Sequence, residues 1–168
     1  MGPSHDGDLE ALAVGVAAET EALARLRFKF EVQQMMLSGG RAAYLDETTR
    51  ELEAAIAEVH HADAQLRQRL AAASRALELA PESTLREVAA AAGEPWRYIF
   101  EQGRDDLRRA VDAIGRLCAE NRKLLARGYL ATSEALALLG VETAGTSYDA
   151  SGAPTRGRAA AAILNTRA

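Results

Sequence analysis

Cysteine is nearly absent from this chain of 168 residues, with Cys118 the single example. An internal disulfide is therefore excluded, and a reducing compartment is expected. Aromatic residues make up only 5% of the sequence. No stretch approaches the roughly 20 consecutive apolar residues that a membrane-spanning helix needs. Positive charge is not in excess: the formal net charge is −4, and Arg104, Arg108 and Arg109 stand beside Asp105 and Asp106. That mixture describes a solvated helix face and argues against a nucleic-acid binder working by phosphate neutralisation. The opening Met1-Gly2-Pro3-Ser4-His5-Asp6 has neither the basic start nor the apolar core of a secretory signal, so a cytoplasmic location is expected.

What is present is heptad spacing. Leu9, Leu12, Val16, Glu19, Leu23, Leu26, Phe30, Gln33 and Leu37 advance in alternating steps of three and four, the signature of a coiled-coil seam. Gly39-Gly40 ends it. Leu52, Ile56, Val59, Asp63, Leu66, Leu70, Ala73 and Leu77 repeat the pattern up to Ala80-Pro81. Thr84 and Glu87 form a capping-box pattern for a short Ala-rich turn closed by Gly93. A third seam runs through Trp96, Phe100, Gly103, Leu107, Ala110, Ile114, Leu117, Asn121, Leu124, Gly128, Ala131, Ala135 and Leu138. Beside it lies a second stripe, Val111, Cys118, Leu125 and Leu139, from which a helix touching two neighbours is expected. The predicted fold is all-α: an elongated antiparallel bundle of three long coiled-coil-like helices over 8–37, 46–79 and 95–139, with a short turn at 84–92. The bundle domain spans 1–140, and a flexible C-terminal tail follows at 141–168.

Several constellations could carry chemistry. Glu58 and His61 have the Glu-x-x-His spacing of di-iron bundles, but a second pair and two further inward glutamates are missing and both residues lie off the seam. No metal or cofactor is expected. Glu19, Asp63 and Asn121 are polar seam positions, better read as fixing register or partner choice than as an acid and base pair. No activated nucleophile or phosphate loop accompanies them. Cys118 is expected to pack as a small apolar side chain. Phe28, Val32, Met35 and Met36 form an apolar strip that is usually core, although methionine also suits a surface that accepts a helical partner. In the tail, ordering each residue costs about 1 kcal/mol or more, while burying Tyr148, Ile163 and Leu164 returns about 2 kcal/mol apiece. The tail is expected to be mobile when alone.

Asn121-Arg122-Lys123-Leu124-Leu125, then Leu138-Leu139-Gly140, a Gly/Thr-rich stretch and Tyr148-Asp149-Ala150-Ser151-Gly152, resemble the C-terminal half of FlgN-type flagellar export chaperones. The ending Ile163-Leu164-Asn165-Thr166-Arg167-Ala168 is similar too, and the upstream heptads agree with that family in order and length. The resemblance implies a cytoplasmic, non-enzymatic chaperone of bacterial flagellar assembly. Its implied partners are hook-associated junction proteins of the FlgK and FlgL type, which it would deliver to the type III export gate protein. By position, the resemblance makes Leu124, Leu125, Leu136, Leu138 and Leu139 candidates for cargo contact and Tyr148 a candidate for the export gate. Gly15 and the Arg127-Gly128 interruption depart from the family pattern. A structural coiled-coil adaptor of another secretion or cytoskeletal system is the alternative, and it expects a homo-oligomer formed through the seams.

Overall fold

We describe residues 3–138, with the short segments 147–148 and 154–155, in a computed structural model of the chain. Four α-helices follow one another: α1 (Pro3–Ser38), α2 (Leu45–Ala76), α3 (Leu85–Ala92) and α4 (Trp96–Leu138). The fold class is all-α. Two two-residue strands, β1 (Ser147–Tyr148) and β2 (Pro154–Thr155), pair antiparallel and add only a minimal ladder. No helix among the described residues is long and apolar enough to cross a membrane.

Local chemistry explains where these helices stop. At the end of α1, Arg41 N donates to the Met36 carbonyl at 2.9 Å and Gly40 N to the Leu37 carbonyl at 3.3 Å. Gly40 takes φ 64° between them, the left-handed residue of a Schellman motif, which lacks a Cβ to oppose that backbone. The same motif closes α2 with Glu78 in the left-handed position, at φ 58°. Leu79 N bonds the Ser74 carbonyl at 2.8 Å and Glu78 N the Arg75 carbonyl at 3.1 Å. The expected helix over 46–79 thus ends at Ala76 instead. Tertiary packing overrides the local signal here, because the turn lets Leu77 and Leu79 both reach the core. α3 carries the full capping box: Thr84 N donates to Glu87 Oε2 at 2.7 Å, and Glu87 N to Thr84 Oγ1 at 3.3 Å.

By compactness the chain divides into Met1–Leu124 and Leu125–Ala168. The first unit is a three-helix bundle with α3 tucked against it. α2 runs antiparallel to α1, as the pairs Lys29–Glu51 and Arg25–Glu58 record. α4 runs parallel to α1, since Trp96 bonds Asp6 near one end and Asn121 bonds Phe30 near the other. The core has two parts. Leu9, Leu12, Val16, Ala73, Val88, Ala89, Ala92 and Phe100 form one. Leu26, Phe30, Leu52 and Ala55 form the other, with Ile114, Leu117 and Cys118 packed on it. Between them stand Glu19 and Asp63. α4 approaches α1 closely where Gly103 meets Val16; a Cβ on Gly103 would stand 2.5 Å from Val16 Cγ1.

The expected second stripe of α4 is not a buried face. Cys118 packs on the core, but Val111 is 56% and Leu125 45% exposed, and Leu139 lies outside the described residues. Within the first unit α4 meets α1 and α2 through its main seam, which leaves the flanking stripe no further helix to cover it. The second unit holds the last turns of α4, from Leu125, together with β1 and β2.

The left-handed Glu78 gives a direct test. Left-handed backbone costs a residue with a Cβ about 1–2 kcal/mol, part of which glycine returns as extra freedom in the unfolded chain. Glu78→Gly should therefore raise stability by about 0.5–1 kcal/mol, read as a higher urea midpoint.

Candidate functional site

Past Asn121, α4 has no fully buried side chain up to Leu138. Its high content of Ala and Leu keeps it helical, yet its large apolar residues are open: Tyr129 is 75%, Leu130 58% and Leu138 88% exposed. Of the leucines expected to contact cargo, Leu124 and Leu136 are half-buried and Leu125 and Leu138 exposed, while Leu139 lies outside the described residues. Leu125, Tyr129 and Leu136 advance by four and seven and so share one face of the helix. Tyr129 and Leu130 are not among the residues expected from the sequence, where Arg127-Gly128 interrupts the apolar face. The signal for Tyr129 was its spacing from Leu125. The backbone of Tyr148 lies in β1, paired with Pro154.

A second apolar strip lies on α1. Phe28 is 57% and Met35 60% exposed, with Val32 and Met36 half-buried, so the strip is not core. Phe28, Val32 and Met35 share a face pointing away from Leu26, Phe30 and Gln33. Lys29 Nζ sits 5.9 Å from the Phe28 ring centre, close enough for a weak cation–π contact. With Val14, 55% exposed, Phe28 and Met35 lie on one line along the outside of α1, broken midway by Glu21, which pairs with Arg25.

The polar seam residues have different fates. Asn121 is 2% exposed, and its Nδ2 donates to the Phe30 carbonyl at 3.0 Å and to Gln33 Oε1 at 3.1 Å. Glu19 is 7% exposed, and its Oε2 is buried with no hydrogen-bond partner among the described residues. Burial pushes its carboxyl above the ordinary range; the Asp63 carboxylate adds to the rise and Arg67 opposes it. Asp63 is held below the ordinary range chiefly by its hydrogen bond from Arg67. Of the three, only Asn121 bonds from one helix to another, the placement a register-fixing group needs.

Glu58 and His61 are engaged separately, Glu58 with Arg25 at 3.0 Å and His61 with Gln65 at 2.8 Å. Both line an open groove of about 630 Å³ between α1 and α2, floored by Ala18, Ala22, Ala54 and Ala57. Among the described residues no three of His, Cys, Asp and Glu gather into a metal-binding group.

Over residues 1–156 the chain matches the family model described as FlgN protein. No curated protein and no solved structure matches it.

Glu19 sets a pH dependence. A carboxyl whose folded pKa is raised leaves stability whole below the ordinary carboxylate range and removes it as pH climbs through the raised value. Glu19→Gln should gain about 1 kcal/mol over the parent at pH 7, the scale of an unmatched buried polar group. At pH 4 the gain should vanish in parallel urea titrations.

Proposed function

Because the chain belongs to the FlgN family, we propose that it is a cytoplasmic chaperone of flagellar export that holds hook-associated proteins of the FlgK and FlgL type on the open apolar face of α4. It then presents them to the export gate protein. The observation that carries this reading is the run of α4 beyond Asn121, helical and apolar yet uncovered. An amphipathic cargo helix can lie along such a face, matching its own apolar side chains to Leu125, Tyr129 and Leu136, while Leu130 and Leu138 stand on the other side of the helix, where a cargo segment wrapping around its end would meet them. Leu124 and Leu139 flank that stretch and complete the cargo surface in this proposal. Tyr148 is assigned to the gate on the strength of the Tyr-x-x-x-Gly resemblance alone. No catalytic role is proposed for any residue.

One observation favours a second reading. The outer line Val14, Phe28 and Met35 falls on heptad positions, broken once by Glu21, and is open, as a homo-oligomerising adaptor would need. Sedimentation of the purified chain separates the two, since the adaptor reading requires a stable homo-oligomer and the chaperone reading does not.

Titration of the full chain with the C-terminal helical segment of a hook-associated protein should give one-to-one binding. Truncating Leu125 and Tyr129 together to Ala should weaken it by roughly a hundredfold, given about 1–2 kcal/mol for each well-placed anchor. No binding by the intact chain would sink the reading. Tyr148→Ala should leave cargo affinity unchanged and reduce capture by the gate protein; equal loss of both contradicts the division of roles.

A further inference from the structure

We propose that the register of α4 on α1 is fixed at two points: a steric one, where Gly103 meets Val16, and a polar one, where Asn121 meets Gln33 and the Phe30 carbonyl. The need for such points comes from the repeat. On α4 the seam residues Phe100, Leu107, Ile114, Asn121 and Gly128 follow at intervals of seven, as do Leu12, Glu19, Leu26 and Gln33 on α1. Two such helices can slide by one heptad, about 10 Å, and still set apolar against apolar over most of the seam.

Surface charge does not prevent the slide. Every ion pair of α4 among the described residues is internal to it: Arg104–Asp105, Arg109–Asp106 and Lys123–Glu120. The other polar link to α1, Trp96 Nε1 to Asp6 Oδ1 at 3.3 Å, is long and exposed. The two buried points do oppose it. One heptad in either direction replaces Gly103 by Ala110 or Trp96, and the space against Val16 has no room for a Cβ. The same step replaces Asn121 by Gly128 or Ile114, which strands the buried Gln33 amide without its partner.

Glu19 stands two heptads before Gln33 at the same seam position, but it has no hydrogen bond to α4 among the described residues. The lock is therefore local to Gly103 and Asn121. Its consequence for the proposed cargo surface is geometric. A slide setting Gly128 opposite Gln33 would draw Leu124 deeper into the seam and shorten the uncovered stretch of α4. That consequence rests on the proposed function; the register itself does not.

The test measures register without cargo. In the full chain carrying Cys118→Ser, spin labels at Ala24→Cys and Lys123→Cys report the offset of α4 along α1 by pulsed dipolar spectroscopy. The labelled parent, the Val16→Ala/Gly103→Ala pair and the Gln33→Leu/Asn121→Leu pair should each give one distance. Combining all four substitutions should add a second population whose axial offset differs by about 10 Å. A single parental distance in the combination overturns the proposal, as does a second population in either pair alone. Urea midpoints keep the question answerable if the combination does not fold. Val16→Ala should rescue Gly103→Ala, and Gln33→Leu should rescue Asn121→Leu; additive losses in either pair overturn the corresponding point.

Discussion

The contact between α1 and α4 is the constraint on which the bundle depends. α1 and α2 zip together through side chains and cross-helix ion pairs, but α4 joins them with only two fully buried residues of its own, Phe100 and Asn121. Phe100 brings apolar burial at one end, stacked on Trp96 with ring centres 6.0 Å apart. Asn121 brings direction at the other, because an amide nitrogen that donates both to a backbone carbonyl and to a side-chain amide oxygen is satisfied in one place only. Apolar seams supply attraction without specificity, and a buried amide supplies specificity at some cost in attraction. The orphan Oδ1 of Asn121 is part of that cost.

The polar layer at Glu19 differs in kind. It splits the core into two clusters and faces a second acid, Asp63, whose charge Arg67 claims first. Asn121 joins helices, whereas Glu19 and Asp63 weaken the bundle at its waist. Between Ala55 and Ala73, α2 has no fully buried side chain at all.

Much of this was legible in the sequence, because heptad spacing is a direct record of which face a helix buries. Leu9, Leu12, Val16, Leu26 and Phe30 are core where the seam put them, and Thr84 with Glu87 caps α3 as its spacing demanded. The failures share a cause. Periodicity tells which residues lie on one line, not whether a neighbour covers that line. Val111 and Leu125 repeat as regularly as the buried seam and are open; Phe28 and Met35 looked like core and are open as well. The end of α2 failed for another reason: a left-handed glutamate has no sequence signal, since its cost is met by Leu77 and Leu79 reaching a core assembled from distant segments. On the proposed cargo surface, Leu125 and Leu138 come from the resemblance, Tyr129 from its four-residue spacing to Leu125, and Leu130 from its exposure alone.

The open end of α4 has a property that an isolated peptide of the same sequence would lack. Short helices are marginal in water because the first turn fixes several residues for one hydrogen bond. Here that nucleus already exists, because α4 enters the stretch past Asn121 from turns packed in the bundle. Continuing the helix to Leu138 then costs only propagation, which Ala and Leu favour. Gly128 is the weak link: it lacks a side chain, costs about 1 kcal/mol relative to alanine, and its carbonyl is shared with Thr132 Oγ1 at 2.9 Å. Bonding of that kind tends to bend a helix. Leu124 and Leu125 precede this joint and Leu130, Leu136 and Leu138 follow it. Under the proposed function, a cargo helix thus meets a surface formed in advance on one side of Gly128 and adjustable on the other. Such a surface spares most of the ordering entropy while tolerating more than one cargo sequence.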